Sequence, residues 1–292
     1  MTTTRILDLK PPELASLCGR ALLDSIRNSE GRTLLCETVV TAPPLLGDIS
    51  NGELAAAMGA DLLLLNIYDV YQPYIAGIDS VSPLEELKRR TGRCIGVNLE
   101  PVPDDHPGFP PSRRANRETA RLAFDQGASF IVLTGNPHSG VDNDTICKTL
   151  SEIKAELGDL RVVAAGKMHG SGVGEPVMTD SVANAFLAAG ADILLLPAPG
   201  TVPGVTLEQV WQWTNLAHRQ GKLAISAIGT SQEGADLATI RHLALDAKKS
   251  GVDIHHLGDA GYFGVALPEN IQAYSIAIRG RRHTFRRMAM RT

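Results

Sequence analysis

The sequence predicts a (β/α)8 TIM barrel with an N-terminal helical extension, and three observations lead there. One pattern recurs four times: ELAAAMGADLLLLN (53–66), ARLAFDQGASFIVLTG (120–135), VANAFLAAGADILLLP (182–197) and LALDAKKSGVDIHHLG (243–258). Each reads as an amphipathic helix, a glycine where the helix ends, a short link and an apolar strand. The glycines, Gly59, Gly127, Gly190 and Gly251, fall 61 to 68 residues apart, at a place where a left-handed conformation is needed. A second set interleaves with the first: GRTLLCET (31–38), GRCIGVNLE (92–100), GDLRVVAAGK (158–167) and GKLAISAIGT (221–230). The third observation is that these strands are continuously apolar, the mark of a parallel sheet covered on both faces. Eight βα units follow without a break, and no GxGxxG succeeds the first strand, which disfavours an open doubly wound sheet.

The flanks complete the organisation. Residues 1–30 contain PPELASLCGRALLDSIRNSEG, whose apolar residues recur at helical spacing. This extension is expected to pack on the barrel bottom or on a neighbouring subunit. The barrel spans 31–278, and residues 279–292 form a basic tail with six arginines, read as a solvated helix face or a subunit-interface arm of a homo-oligomer.

Composition narrows the function. The 292 residues are 43% hydrophobic and carry a formal net charge of −4, which argues against nucleic-acid binding. The four cysteines (Cys18, Cys36, Cys94, Cys147) form no CxxC pair, so a reducing cytoplasm is the expected compartment. The N-terminus lacks the apolar core of a signal peptide, and no run of 18 apolar residues suggests a membrane span.

Barrel enzymes work at the C-terminal mouth of their strands, so each strand is read for what it delivers there. The first ends at Glu37 and Thr38, the second at Asn66, Tyr68 and Asp69, and the third at Asn98 and Glu100. The fourth delivers Thr134, Gly135 and Asn136, and the fifth Lys167 and His169. The last three end in PAPGTVPG, AIGTSQEGAD and HHLGDAGYFG. Glycine-rich loops after strands seven and eight suit a phosphate or carboxylate, which nominates Gly229, Thr230, Ser231, Gln232, Gly258 and Gly261, with HGSGVG (169–174) as a further cradle. Adjacent His255 and His256 must face opposite sides of their strand. Register against the second strand turns His256 inward with Asn66 and leaves His255 as a core histidine in the helix layer.

The acidic and imidazole set, Glu37, Asp69, Glu100, His169, His256 and Asp259, would suit Mg²⁺ or Mn²⁺, although no HxH or HExxH spacing supports a metal. Lys167, set in an apolar strand, is the candidate nucleophile or electrophile. It is similarly placed to the Schiff-base lysine of class I aldolases, and the alternatives are an ion pair with Glu37, Glu100 or Asp259 or a direct contact to a substrate phosphate.

FIVLTGNPHSGV, AAGKMHGSGV and AGADILLLPAPGT, across strands four to six, resemble the BtpA-like and phosphate-binding barrel families. EGRTLLCETV, GTSQEGAD, HHLGDAGYFG and ENIQAYSIAIRGRRHT resemble a poorly characterised bacterial family commonly labelled haloacid-dehalogenase-like hydrolase. LTGNP (133–137), Lys167 and GDAGY (258–262) are similar to the threonine, lysine and acidic motifs of that superfamily. Its DxDx[TV] nucleophile motif is missing, because the first strand ends CETVVTAPP, and hydrolysis of that type is disfavoured.

The expectation is a lyase or isomerase acting on a small phosphorylated or carboxylated carbonyl compound. Lys167 would polarise the carbonyl, Glu37, Glu100, His169 or Asp259 would move protons, and Asn66, Asn98, Thr134, Asn136 and His256 would line the site. Two alternatives remain: a divalent-metal barrel resembling the phosphoenolpyruvate mutase and isocitrate lyase group, and a BtpA-like ligand-binding or assembly protein.

Overall fold

A computed structural model describes residues 4–103, 106–170, 172–262 and 264–290. Ser171 of the HGSGVG loop, Phe263 of GDAGYFG, and the ends of the extension and tail (1–3 and 291–292) lie outside the described residues.

Eight strands form a closed parallel barrel in chain order: β1 (Thr33–Val39), β2 (Leu62–Asn66), β3 (Cys94–Leu99), β4 (Phe130–Leu133), β5 (Val162–Gly166), β6 (Ile193–Pro197), β7 (Leu223–Ile228) and β8 (Ile254–Leu257). Two short helices, α1 (Pro11–Ala15) and α2 (Gly19–Arg27), precede the barrel. The outer layer is α3 (Asn51–Ala57), α4 (Pro83–Thr91), α5 (Arg117–Asp125), α6 (Asn143–Leu157), α7 (Asp180–Ala188), α8 (Leu207–Arg219), α9 (Leu237–Lys249) and α10 (Pro268–Ala289). Most of these helices begin where a polar side chain accepts an otherwise orphaned amide. Ser50, Asn116, Asp142, Thr179, Thr206 and Asp236 each cap one. Among the described residues no helix is long and apolar enough to cross a membrane.

Side chains alternate between two apolar compartments, as the pleat requires. One set (Leu34, Leu63, Ile95, Ile131, Val163, Leu194) meets the helices; the other (Leu35, Leu64, Val132, Ala164, Leu195, Ile225) fills the barrel. Phe130 is the largest side chain within, and it fits because β3 offers Gly96 opposite: a Cβ there would lie 2.2 Å from the Phe130 ring. The register also places the two histidines of β8 as expected. His255 faces the helices, with Nε2 3.0 Å from Gly31 O and Nδ1 3.2 Å from the Tyr274 hydroxyl. His256 faces inward, paired in register with Leu35 and Ala227.

The extension closes the barrel bottom: Ile6, Leu9, Leu14, Leu22 and Ile26 join the interior cluster. The arginine-rich segment is a solvated face only in part, with Arg281, Arg282 and Arg286 exposed. Residues 279–289 continue α10, turning at Gly280 (φ 75°), and Arg279 and Arg287 are buried. Both pair with Asp61, which is fully buried; Arg287 Nε lies 2.8 Å from Asp61 Oδ1, and Arg279 binds Oδ2. Arg287 Nη2 also donates to Ile6 O at 2.5 Å and Arg286 donates to Leu7 O, so the last helix grips the first residues of the extension. Arg93 adds a third guanidinium, donating to Ala60 O at 2.7 Å. A helix bearing this many charges enters the core because each buried charge finds an acid or a carbonyl.

Asp61 is the only anion in direct contact with Arg279 and Arg287 among the described residues, and their charges hold its carboxyl below the usual range despite burial. Asp61→Ala is therefore expected to cost about 3–5 kcal/mol in urea unfolding, because it strands buried guanidinium groups. A lowered folded pKa contributes stability above the unfolded carboxylate value and loses it as pH falls through the folded one. The gap between wild type and variant should accordingly narrow in acid.

Candidate active site

The polar ends of the inward-facing rows converge on one cavity of about 390 Å³ at the C-terminal mouth. Of the residues expected there, Glu37, Asn66, Asn98, Thr134, Asn136, His169, Gly229, Thr230, Ser231, Gly258 and Asp259 line it. Five other lining side chains were not nominated from the sequence: Pro137, His138, Met168, Glu233 and Ala260.

Asn66, the last residue of β2, is the hub. Its amide nitrogen donates to Asp259 Oδ2 and to Asn136 Oδ1, both at 2.8 Å. Its oxygen accepts from Asn98 Nδ2 at 3.1 Å, Asn136 Nδ2 at 3.0 Å and the Ile67 amide at 2.9 Å. Ile67 pays for that last bond with a left-handed backbone (φ 61°), rare for a β-branched residue. His138 (φ 66°) and Ser231 (φ 75°) are also left-handed, so three of the four such non-glycine residues described lie in the loops of the mouth. Strain gathered in this way is typical of functional sites.

Glu37 lines the cavity, and His256, expected to line it too, is buried beside Glu37 and is not among the lining residues. His256 Nε2 lies 3.0 Å from Glu37 Oε2 but off the line of a hydrogen bond, and neither ring nitrogen has an aligned partner among the described residues. Burial pushes His256 down to about 4, so the ring is neutral at neutral pH. Burial, reinforced by the charges of Glu233 and Glu100, pushes Glu37 up to about 8. Burial and the Glu37 charge raise Asp259 to about 6, against the opposing hydrogen bond from Asn66. Glu233 is raised as well, chiefly by burial, although its Oε1 accepts the Ala260 amide at 2.8 Å.

The remaining expected residues sit behind the cavity wall or beside it. Glu100 is buried between Arg113 Nη2 (2.7 Å from Oε1) and the Asn136 amide (2.8 Å from Oε2), where it sets the loop after β4. Gln232 accepts from the Thr230 hydroxyl, and Gly261 packs on the backbone of Ala266. Asp69 caps the amides of Tyr71 and Gln72, both at 2.8 Å, and Tyr68 is buried with its hydroxyl 2.9 Å from Gln126 Oε1.

Lys167 is fully buried and is not among the cavity-lining residues. Its Nζ lies 2.5 Å from Glu175 Oε1, which also receives the Asn143 amide at 2.8 Å. The ion-pair partner is thus a loop residue after β5 and none of the three acids considered from the sequence. Gly166, at φ 153°, makes the turn before Lys167; a Cβ there would lie 2.0 Å from Leu195 O. It is Met168 that follows Val162 and Ala164 into the interior cluster.

The Mg²⁺ or Mn²⁺ site weighed from the sequence lacks a matching donor set. Among the described residues no three His, Cys, Asp or Glu side chains are placed to hold a metal ion.

The family model described as "Domain of unknown function (DUF7916)" matches residues 7–292. The chain belongs to this family. No curated protein matches it in sequence. Among solved structures, a 2,3-dimethylmalate lyase, described as a PEP mutase/isocitrate lyase superfamily member, is similar at TM-score 0.50 and 14% identity, covering 81% of this chain and 79% of that one. The trigonal crystal form of that enzyme gives TM-score 0.49 at 14% identity, over 85% and 80% of the two chains. A protein called "QR15, an Aldolase" gives 0.46 at 17% identity, over 81% and 93%. At such identities the first likeness reports the barrel fold.

The raised Glu37 carries a stability consequence. Between its ordinary value near 4.5 and its folded value near 8, the folded chain holds a proton that the unfolded chain has released, so stability falls as pH rises. Glu37→Gln should therefore stabilise the protein at pH 8 by roughly 1–3 kcal/mol in urea unfolding, with the gain shrinking toward pH 4.5.

Proposed function

We propose that the family member described here is a small-molecule lyase or isomerase that moves protons next to a carbonyl group. The observation that carries this reading is a pair of cavity carboxylates with separated proton affinities, Glu37 near 8 and Asp259 near 6. Two acids whose surroundings push their titrations apart supply an acid and a base at the same pH. Glu37, protonated at neutral pH, donates to the substrate carbonyl oxygen. Asp259, ionised and oriented by the Asn66 amide, removes a proton. In the isomerase direction, on an α-hydroxy carbonyl, that proton leaves the carbon beside the carbonyl and the electron pair forms an enediol; the second hydroxyl then gives its proton back to Glu37 and becomes the new carbonyl, while Asp259 delivers its proton to the former carbonyl carbon. In the lyase direction it leaves a β-hydroxyl, the adjacent C–C bond breaks, and its electron pair forms the same enol. Asn98 and Thr134 supply polar contacts to hold the substrate.

Lys167 enters this reading as a positioning residue, since its pairing with Glu175 ties the tip of β5 to the loop that caps α6. The lyase name of the similarly folded protein agrees with the proposal, which rests on the carboxylates.

Deuterium incorporation into hydroxyacetone in D2O, followed by NMR, tests the reaction class. Exchange is expected above background, rising with pH through about 6 as Asp259 ionises and falling above about 8 as Glu37 loses its proton. Asp259→Asn should slow it about 10²-fold or more; unchanged exchange in that variant would remove Asp259 from the mechanism. Borohydride reduction in the presence of the ketone is expected to leave Lys167 unmodified, and a mass adduct there would replace this reading with imine catalysis.

A further inference from the structure

The expected anion cradle holds an anion that belongs to the chain. Glu233 reaches from the loop after β7 and takes the Ala260 amide after β8, at 2.8 Å. With Glu37 and Asp259 it places three carboxyl groups in one cavity, and no lysine or arginine is among the lining residues described. Lys167 is paired with Glu175 and Arg113 with Glu100. A second observation points independently to a missing donor. Glu233 Oε2, Asn98 Oδ1 and Thr134 Oγ1 belong to buried residues of the cavity wall, and each lacks a hydrogen-bond partner among the described residues. Asn98 Oδ1 only accepts hydrogen bonds, Glu233 Oε2 only accepts when ionised, as an adjacent cation would keep it, and the hydroxyl can accept. Acceptors with nothing to accept, in an acidic and desolvated cavity, match a ligand that brings several N–H donors and positive charge.

We propose that the mouth selects substrates carrying a protonated primary amine and discriminates against phosphorylated or carboxylated ones. The inference rests on the reading of this cavity as the active site, and it replaces the anionic substrate expected from the glycine-rich loops. An ammonium group offers three donors, matching the three open acceptors in kind.

Calorimetric titration of the full chain near neutral pH with aminoacetone, hydroxyacetone, pyruvate and dihydroxyacetone phosphate tests the selectivity separately from turnover. Aminoacetone should bind at least about tenfold more tightly than hydroxyacetone, with the two anions weakest. Glu233→Gln, checked for folding by circular dichroism, should lose the preference for the amine, so that aminoacetone and hydroxyacetone bind within about threefold of each other. Equal or tighter binding of either anion, or no binding of aminoacetone by the wild-type chain, overturns the proposal. Amine-selective binding without deuterium exchange supports the selectivity while removing the acid–base mechanism. Exchange into hydroxyacetone with no amine preference does the reverse.

Discussion

In a closed parallel barrel every second side chain of a strand belongs to the interior and its neighbour to the helix layer, and no edge lets a strand slip out of that alternation. Most of what distinguishes this molecule follows from the constraint. It separates His255, held by Gly31 and Tyr274 among the helices, from His256, set against Glu37 in the barrel. It turns Glu37, Asn66, Asn98 and, one residue past β4, Thr134 inward from four consecutive strands, so that their polar ends share a cavity. The same rule sends Met168 inward and leaves Lys167 to Glu175.

The mouth and the bottom handle buried polarity in opposite ways. At the bottom Asp61 is flanked by two arginines and accepts a backbone amide, the arginines donate to carbonyls, and the network locks the extension to the last helix. At the mouth, carboxyls are crowded without cations, a histidine is buried without aligned partners, and the backbone is held left-handed at three places. Each such feature opposes folding. The contrast separates groups that hold the barrel shut from groups left available to a ligand.

The fold was legible because its signal is repetition: glycine-terminated helices and continuously apolar strands recur often enough to count to eight. The inward row was legible wherever parity was applied, as for His256 and Asn66. Lys167 was read by its position at a strand tip and its apolar run, without the parity that pairs Met168 with Ala164. Glu100 lies one residue beyond Leu99, whose side chain meets the helix layer, and its partners Arg113 and Asn136 arrive from distant loops that no local pattern announces. Glu233 was visible inside GTSQEG, but glycines beside hydroxyl residues suggested a cradle for an external anion, and only the fold shows the cradle filled from within. The arginines of α10 looked like surface because their acid, Asp61, is more than two hundred residues earlier in the chain.

The clasp between α10 and the extension also bears on how the molecule is made. Arg286 and Arg287 bind carbonyls of residues 6–9, so the extension waits for partners 278 to 281 residues later in the chain. Until then the nascent half-barrel exposes two unpaired strands, and β1 has no β8 beside it. On the ribosome such a chain is an open sheet whose edges stay unpaired until β8 arrives to close it.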